Sequence, residues 1–429
     1  MLQTSFIREH KKKILIGLDK RYFAQTDWID EILMLDEKKR KTQFELDVFL
    51  ARSNQLSSQI GNLFKSGQKD EAETFRQESM RLKEEAKILG ERLTDISGVL
   101  SEKLIQIPNI PSEQVKKGQN ADDNEIVHQE GDIPSIDDTA LPHWELAKKF
   151  QLFDFELGTK LSGAGFPVYI GRGARLQRSL IQYFLDQNTQ AGYLEYSLPH
   201  LVNEDSGYAT GQIPDKEGQM YHIKKDDLYL IPTGEVPLIN CYRGRILSQV
   251  ELPIKATTHT PCFRREAGSY GAHVRGLNRL HQFDKVEIVQ ITTPEASYTA
   301  LDEMVEYIKG LLRDLGLPFR ILQLCGGDMG FTSAMTYDFE VYTVVLKKWL
   351  EVSSVSNCTD FQTHRLRLRY YTSKGKICLC HTLNGSALAL PRILATLLEN
   401  NQTTDQIKVP KVLVPYTGFD TIVLPLANL

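Results

Sequence analysis

The chain has 429 residues, enough for two or three domains, and its 51 basic and 55 acidic side chains leave a net charge of -4. No run of 18 apolar residues exists, which excludes a membrane-spanning helix, and the near-balance of charge leaves any nucleic-acid binding to a local patch. Met1 to Lys13 lacks an apolar core followed by a cleavage site, and six scattered cysteines read as reduced thiols, so a cytoplasmic chain with no membrane partner is expected.

From Asp27 to Ile107 there is no proline, and apolar residues recur with a period of seven. Leu35, Phe49, Leu56 and Leu63 form one track, with Leu46 and Ile60 on a second. After the polar break Ser66-Gly67-Gln68-Lys69-Asp70 the pattern restarts as Phe75, Leu82, Leu89 and Ile96, interleaved with Ala72, Ala86, Leu93 and Leu100. Two heptad segments joined by a tight turn predict an antiparallel helical hairpin. Helices of roughly 37 residues would span about 55 Å, so the hairpin should project as an arm. Its charges nearly balance, with one dense basic cluster at Lys38-Lys39-Arg40-Lys41, so composition alone fits a solvated coil as well as an RNA contact.

Ile107-Pro108-Asn109-Ile110-Pro111 ends the second helix, because a residue before proline is pushed out of the α region. The polar, acidic stretch 108–142 reads as an extended linker, giving three parts: an arm at 1–107, the linker, and a mixed domain at 143–429. In the last, helices are expected near Ala174–Gln190 and Pro294–Leu315. Strands are expected near Leu228–Ile231, Ala256–Arg264, Leu280–Gln290, Phe339–Tyr342, Lys348–Ser353 and Ile377–Leu383. Strands following one another at hairpin spacing predict an α+β fold, a mostly antiparallel sheet flanked by helices. Thr260–Glu266 and Arg279–Glu287 alternate apolar and charged residues about a loop bearing Gly268, Gly271 and Gly276, which predicts an antiparallel hairpin. On one strand Phe283, Lys285 and Glu287 share a face; on the other Cys262, Arg264 and Glu266 do. Such a face is either solvated and laced with ion pairs, or the floor of a site for a nucleotide and a small zwitterion.

No Gly-x-x-x-x-Gly-Lys-Ser/Thr loop occurs, Gly171-Arg172-Gly173 lacks the third glycine of a dinucleotide fingerprint, and no Gly-x-Ser-x-Gly elbow is present. Cys378-Leu379-Cys380-His381 is spaced too closely for a zinc pair and reads as thiols along a buried strand. Three segments remain that carry polar chemistry: Thr233-Gly234-Glu235, Glu351-Val352-Ser353-Ser354, and His381-Thr382-Leu383-Asn384-Gly385-Ser386 leading into an apolar helix over Ala387–Asn400 with Arg392. Singly they read as a turn, a strand end and a helix cap at Ser386.

As a set and in this order, with the helical hairpin and the Phe263-Arg264-x-Glu266 and His281-Gln282-Phe283-x-Lys285-Val286-Glu287 runs, they resemble the class II aminoacyl-tRNA synthetases, and within them the seryl-tRNA synthetase family. The resemblance spans almost the whole chain. It implies that Arg264 grips the α-phosphate of ATP and the carboxylate of L-serine, that Glu266 reads the adenine amino group, and that Phe283 stacks on the base. It also sets Arg392 toward the γ-phosphate and lets Glu351 and Ser354 hold Mg²⁺, with Arg265, Val352 and Ser353 beside them. Thr233, Gly234, Glu235, Glu287, Asn384 and Ser386, with Arg264, would form the serine pocket. Planar arginine forks suit phosphates and carboxylates, and hard oxygens suit Mg²⁺. Catalysis would rest on positioning and charge neutralisation by Arg264 and Arg392.

The same resemblance implies that the arm grips tRNA(Ser), and in this family also tRNA(Sec), and that Gly165–Asn203 forms a homodimer. Gly234 stands where alanine is usual, and Pro391 interrupts a run that usually carries more glycine, so the last helix should bend or start late. Val355 and Tyr342–Leu346 also depart from the commoner pattern. Two other readings stand beside an active ligase: a catalytically silent paralogue binding RNA or protein through the arm, and a serine-activating ligase that loads a carrier protein. Retention of the charged pocket residues argues against the first, possession of the full arm against the second.

Overall fold

The computed structural model describes residues 1–136, 139–215, 217–266 and 275–425. Of the predicted loop glycines, Gly268 and Gly271 lie outside the described residues. The chain divides into two compact units: Met1–Asp19 with Phe23–Pro108, and Lys20–Tyr22 with Asn109–Leu429.

The first unit is built on α1 (Trp28–Lys65) and α2 (Lys69–Leu104). Between them Gly67 takes a φ of +81°, and the Gln68 N–H closes back on the Leu63 carbonyl at 3.0 Å, capping α1 in the left-handed manner that favours glycine. The expected heptad residues face the seam. Leu56, Ala72, Ala86 and Leu100 are buried, whereas Leu35, Phe49, Leu63, Leu82, Leu89 and Ile96 are half-buried, since two helices shield a seam incompletely. Thr42, Ser53 and Ser79, skipped by an apolar count, occupy the remaining seam positions and are buried. The Ser53 and Ser79 hydroxyls meet at 3.3 Å.

The second unit centres on an eight-stranded sheet: β1 (Glu125–Glu130), β2 (Leu194–Tyr196), β3 (Ile254–Phe263), β4 (Gln282–Thr292), β5 (Phe319–Gln323), β6 (Met335–Thr343), β7 (Lys348–Thr359) and β8 (His381–Ala389). Their order is β1-β5-β6-β7-β8-β4-β3-β2, antiparallel throughout except where β2 runs parallel to β3. The supposed linker therefore corrects in part: 125–130 is an edge strand paired with β5, and its polarity is that of a solvated sheet edge. Asn109 of the Ile-Pro-Asn-Ile-Pro segment is buried, its amide donating to the carbonyls of Thr332 and Cys358, each at 2.9 Å.

Helices α3 (His143–Phe150), α4 (Gly171–Gln190), α5 (Glu235–Asn240), α6 (Ser297–Asp314), α7 (Phe361–Leu366) and α8 (Leu390–Asn400) pack around the sheet. On α6 the buried residues Ala300, Leu301, Met304, Ile308 and Leu311 follow helical spacing and join Phe184, Phe319 and Phe339 in the core. Every residue of α8 is buried except Arg392. Here the expected boundary was wrong. Residues 387–389 continue β8, so Ser386 is a strand residue and no helix cap. Pro391 falls in the first turn of α8, where a missing N–H removes no helical bond, and the helix starts late as anticipated. Val355 lies opposite Gly385 in register and is fully buried, filling the space that glycine leaves; Tyr342 packs edge-on against its cross-strand neighbour Trp349. Among the described residues no helix is long and apolar enough to cross a membrane.

Candidate active site

One face of the central strands opens into a cavity of about 600 Å³. Strands β3 and β4 pair as predicted, Phe283 opposite Cys262 and Glu287 opposite Thr258. The regular strand stops at Phe263, however, and Glu266 has a φ of +49°, so Arg264 and Glu266 reach the cavity from an irregular turn rather than by strand alternation. Between Lys285 and Glu287 the β4–β8 register shifts, β8 carrying one residue more, and Glu287 is brought beside Ser386.

At one end of the cavity lies a buried ionic cluster. The Lys285 ammonium is 2.5 Å from Glu287 and donates to the Thr233 hydroxyl at 2.8 Å; Thr233 in turn faces Glu287 at 3.4 Å. Glu235, in the first turn of α5, accepts from Gln362 at 2.7 Å and from Asn384 at 2.5 Å. Burial, with the charge of Glu287 added, pushes Glu235 up to about 7. Burial also raises Glu287, opposed by Lys285. Two carboxylates with one ammonium in contact leave an electrostatic place for a second ammonium.

The Arg264 guanidinium adjoins this cluster. It lies 5.4 Å from the Phe283 ring centre, and among the described residues only its Nε is hydrogen-bonded, to the Pro232 carbonyl at 3.3 Å. Glu266 pairs with Arg279 at 3.0 Å. Arg392 donates to the Asn278 carbonyl at 3.1 Å and to the Glu351 carbonyl at 2.7 Å, with the Glu351 carboxylate at 3.4 Å. On the same wall Asp338 stands opposite Ser354 in register and hydrogen-bonds it, while its Oδ1 is buried without a partner among the described residues. Burial and the neighbouring Glu351 charge hold the Asp338 carboxyl well above the usual range.

Of the residues expected from sequence, Arg264, Glu266, Phe283, Glu351, Val352, Ser353, Ser354 and Arg392 line the cavity, as do Thr233, Glu235, Glu287, Asn384 and Ser386. Two do not. The Arg265 main-chain N–H donates to the Gln219 carbonyl at 2.9 Å and its guanidinium lies 5.8 Å from the Tyr221 ring, outside the cavity lining. Gly234 has an ordinary φ of -63°, so its role is space: a Cβ there would meet Thr258 Cγ2 at 2.9 Å. Residues that the sequence did not single out for the site are Lys285, Asp338, Asn278 and Gln362. Only Lys285 was foreseeable, since it shares the face of Phe283 and Glu287. In the Cys378-x-Cys380-His381 stretch Cys380 is buried and His381 bonds Ser297 at 2.8 Å; no group of three His, Cys, Asp or Glu side chains able to hold a metal is found among the described residues.

Residues 220–401 match the class II tRNA synthetase core domain (G, H, P, S and T), and residues 1–111 match the seryl-tRNA synthetase N-terminal domain. The serine--tRNA ligase of Salinibacter ruber is 47% identical over 424 residues, covering 98% of this chain and 99% of that one. The crystal structure of seryl-tRNA synthetase from Pyrococcus horikoshii complexed with ATP superposes with a TM-score of 0.92 at 30% identity, covering 99% of this chain and 100% of that one. The cytoplasmic serine-tRNA ligase of Naegleria fowleri in complex with AMP superposes with a TM-score of 0.87 at 27% identity, covering 99% of each. With matched arm, matched core and full-length likeness to such relatives, the chain belongs to the seryl-tRNA synthetase family of class II aminoacyl-tRNA synthetases.

Proposed function

We propose that the chain activates L-serine with ATP and transfers the seryl group to the 3′ end of tRNA(Ser), and of tRNA(Sec), with the cavity as the site of both steps. The observation carrying this is the charge pattern: a buried carboxylate pair served by one lysine, next to an arginine fork with open donors. That pattern is complementary to a zwitterion. The serine ammonium meets Glu235 and Glu287, its hydroxyl meets Glu287 and Ser386, and its carboxylate lies toward Arg264, with Thr233, Gly234 and Asn384 closing the pocket. Alanine or glycine in this place would leave buried polar groups unpaired, a penalty that reaches roughly 10⁴–10⁵ in discrimination. Threonine is rejected by space.

On the nucleotide side Phe283 offers the face for adenine, Glu266 the acceptor for its amino group, and Arg392 a cation for the terminal phosphate. Glu351, Val352, Ser353 and Ser354 form the wall along the phosphates, and Arg265 acts through the turn that carries Arg264. The donor set fits Mg²⁺: Glu351 and Ser354 present hard oxygens beside the unpartnered Asp338 Oδ1. When bound with ATP the ion would neutralise phosphate charge. A serine carboxylate oxygen forms a bond to the α-phosphorus as the bond to pyrophosphate breaks. The terminal ribose hydroxyl of tRNA then attacks the adenylate carbonyl and AMP leaves. No side chain serves as nucleophile, so Arg264 and Arg392 contribute by orienting groups and stabilising charge.

Residues 1–107 act as the tRNA-gripping arm, 143–429 as the catalytic domain, and Gly165–Asn203 as a homodimer contact, in a cytoplasmic enzyme. Serine-dependent exchange between ATP and pyrophosphate, followed by charging of tRNA, tests the assignment. Absence of exchange removes it, and exchange without charging would favour a carrier-loading ligase.

A further inference from the structure

Behind the cavity sits a buried histidine that no step above uses. His143, the first residue of α3, is fully buried, as is Glu399 near the end of α8. The Glu399 Oε1 accepts from the His143 main-chain N–H at 3.0 Å and lies 2.6 Å from Nδ1; Oε2 accepts from the Thr343 hydroxyl. With Nδ1 facing a carboxylate, Nδ1 carries the proton and Nε2 is the acceptor. Nε2 receives the Leu277 main-chain N–H at 2.9 Å. Leu277 belongs to the 3₁₀ turn Gly276–Asn278, which returns the chain from the hairpin loop into β4 and Phe283. The turn is pressed onto the ring: Gly276 has a φ of +71°, and a Cβ there would come within 2.1 Å of Nε2.

The same turn is held a second time. Its Asn278 carbonyl accepts from Arg392 in the first turn of α8, whereas Glu399 lies two turns further along that helix. One helix thus holds one turn at two points, directly through Arg392 and indirectly through Glu399 and the imidazole. We infer that His143 is a positioning residue for the nucleotide side of the cavity: through Nε2 it fixes the Leu277–Asn278 turn against α8, and so sets Phe283 and Arg392 relative to one another. The inference rests on the reading that these two residues hold ATP. The serine cluster at Thr233, Glu235 and Glu287 has no hydrogen bond to the turn among the described residues, so the two substrates should respond differently.

The two ring nitrogens permit a separation by substitution. His143→Asn retains a donor at the Nδ1 position but leaves the buried Leu277 N–H without an acceptor, whereas His143→Gln places an amide oxygen near Nε2 and gives up the Glu399 contact. Orphaning a buried N–H costs about 1–3 kcal/mol, which corresponds to roughly 5- to 150-fold. His143→Asn should raise the KM for ATP in serine-dependent exchange by that factor, with the KM for serine within threefold of wild type. His143→Gln should bring the ATP value back to within about threefold despite a lower melting temperature. Gly276→Ala, which crowds Nε2 and leaves the histidine and Glu399 intact, should also raise the ATP KM alone. Equal changes in both KM values, or an unchanged ATP KM in both His143→Asn and Gly276→Ala, would overturn the inference. Calorimetric titration of ATP alone runs in parallel. If wild type binds ATP but shows no serine-dependent exchange, the ligase reading fails while the order of the ATP affinities still decides the role of His143. If wild type does not bind ATP, both fall.

Discussion

The side chain best placed to test the proposed serine pocket through pH is Gln362, a residue outside the cavity. It is fully buried on α7, donating to Glu235 at 2.7 Å and accepting from the Thr382 hydroxyl at 2.7 Å. Gln362→Met keeps the volume and removes both bonds, together with a longer one to the Thr210 carbonyl at 3.5 Å. A hydrogen bond to a buried charge is worth about 1.5–3 kcal/mol, or about one to two pH units on the group it stabilises. Asn384 remains on Glu235 at 2.5 Å, so the lower figure applies, and the carboxyl should move from about 7 to about 8. At pH 7 the charged fraction then falls from about one half to about one tenth, so the KM for serine should rise about fivefold; by pH 9 both proteins are ionised and the values should converge. Linkage gives the matching sign in the ligand-free protein. Glu235 is raised above its ordinary 4.5, so its contribution to stability is present below pH 4.5 and is lost as pH climbs through about 7. In the variant that loss should continue to higher pH. Exchange kinetics at several serine concentrations between pH 6 and 9 measure the effect. A KM ratio that is the same at pH 7 and pH 9 would show that Gln362 acts by packing, and would refute the charge argument for Glu235.

Other expectations follow from single contacts. Glu287→Gln leaves the Lys285 ammonium buried without its carboxylate; serine-dependent exchange should drop at least about 30-fold while calorimetric ATP binding is retained, and near-normal exchange would remove Glu287 from the pocket. Asp338→Asn keeps shape and discards a buried charge, so the melting temperature should rise while Mn²⁺ binding in the presence of ATP, read by electron paramagnetic resonance, weakens about tenfold. Should the cation affinity stay the same, Asp338 has no part in holding the ion. Pro391→Gly should change ATP affinity less than tenfold, because a first-turn proline removes no helical bond; calorimetry gives the comparison. Ser53→Ala and Ser79→Ala should each cost about 1 kcal/mol and together less than their sum, since one hydroxyl left alone in the seam loses its partner. Strict additivity in thermal unfolding of the four proteins would show the pair is not coupled.

What the sequence made legible was whatever repeats or alternates over a long run. The heptad tracks of α1 and α2 sum many small preferences, and β3 and β4 could be paired because both runs share a period of two. Illegible were places where one residue departs from the period around it. Thr42, Ser53 and Ser79 vanish from an apolar count although geometry puts them in the seam. Residues 387–389 look helical because alanine and leucine are strong helix formers, yet they extend β8, where Ala389 pairs with Lys285 of β4 in a register that propensity cannot anticipate. Edge strand β1 escaped notice because an edge needs no buried face, so its composition resembles a linker.

The site shows the same division for a different reason. The residues proposed to touch substrate are marked by the chemistry of their tips, and a carboxylate or guanidinium in an unusual place is visible in a sequence. Those that support them are chosen for the geometry of contacts between distant segments: Gln362 is 127 residues from Glu235, and Glu399 is 256 from His143. A glutamine on a helix or a histidine before a tryptophan carries no such signal by itself. The charge balance depends on this hidden layer. Glu235 lies near half-ionisation because burial raises it while Gln362, Lys285 and Asn384 pull it back, so amides and a lysine set how strongly the pocket draws an ammonium at neutral pH. A homologous pocket with identical tips and an apolar residue at 362 would therefore bind serine more weakly at pH 7, even with every substrate contact unchanged.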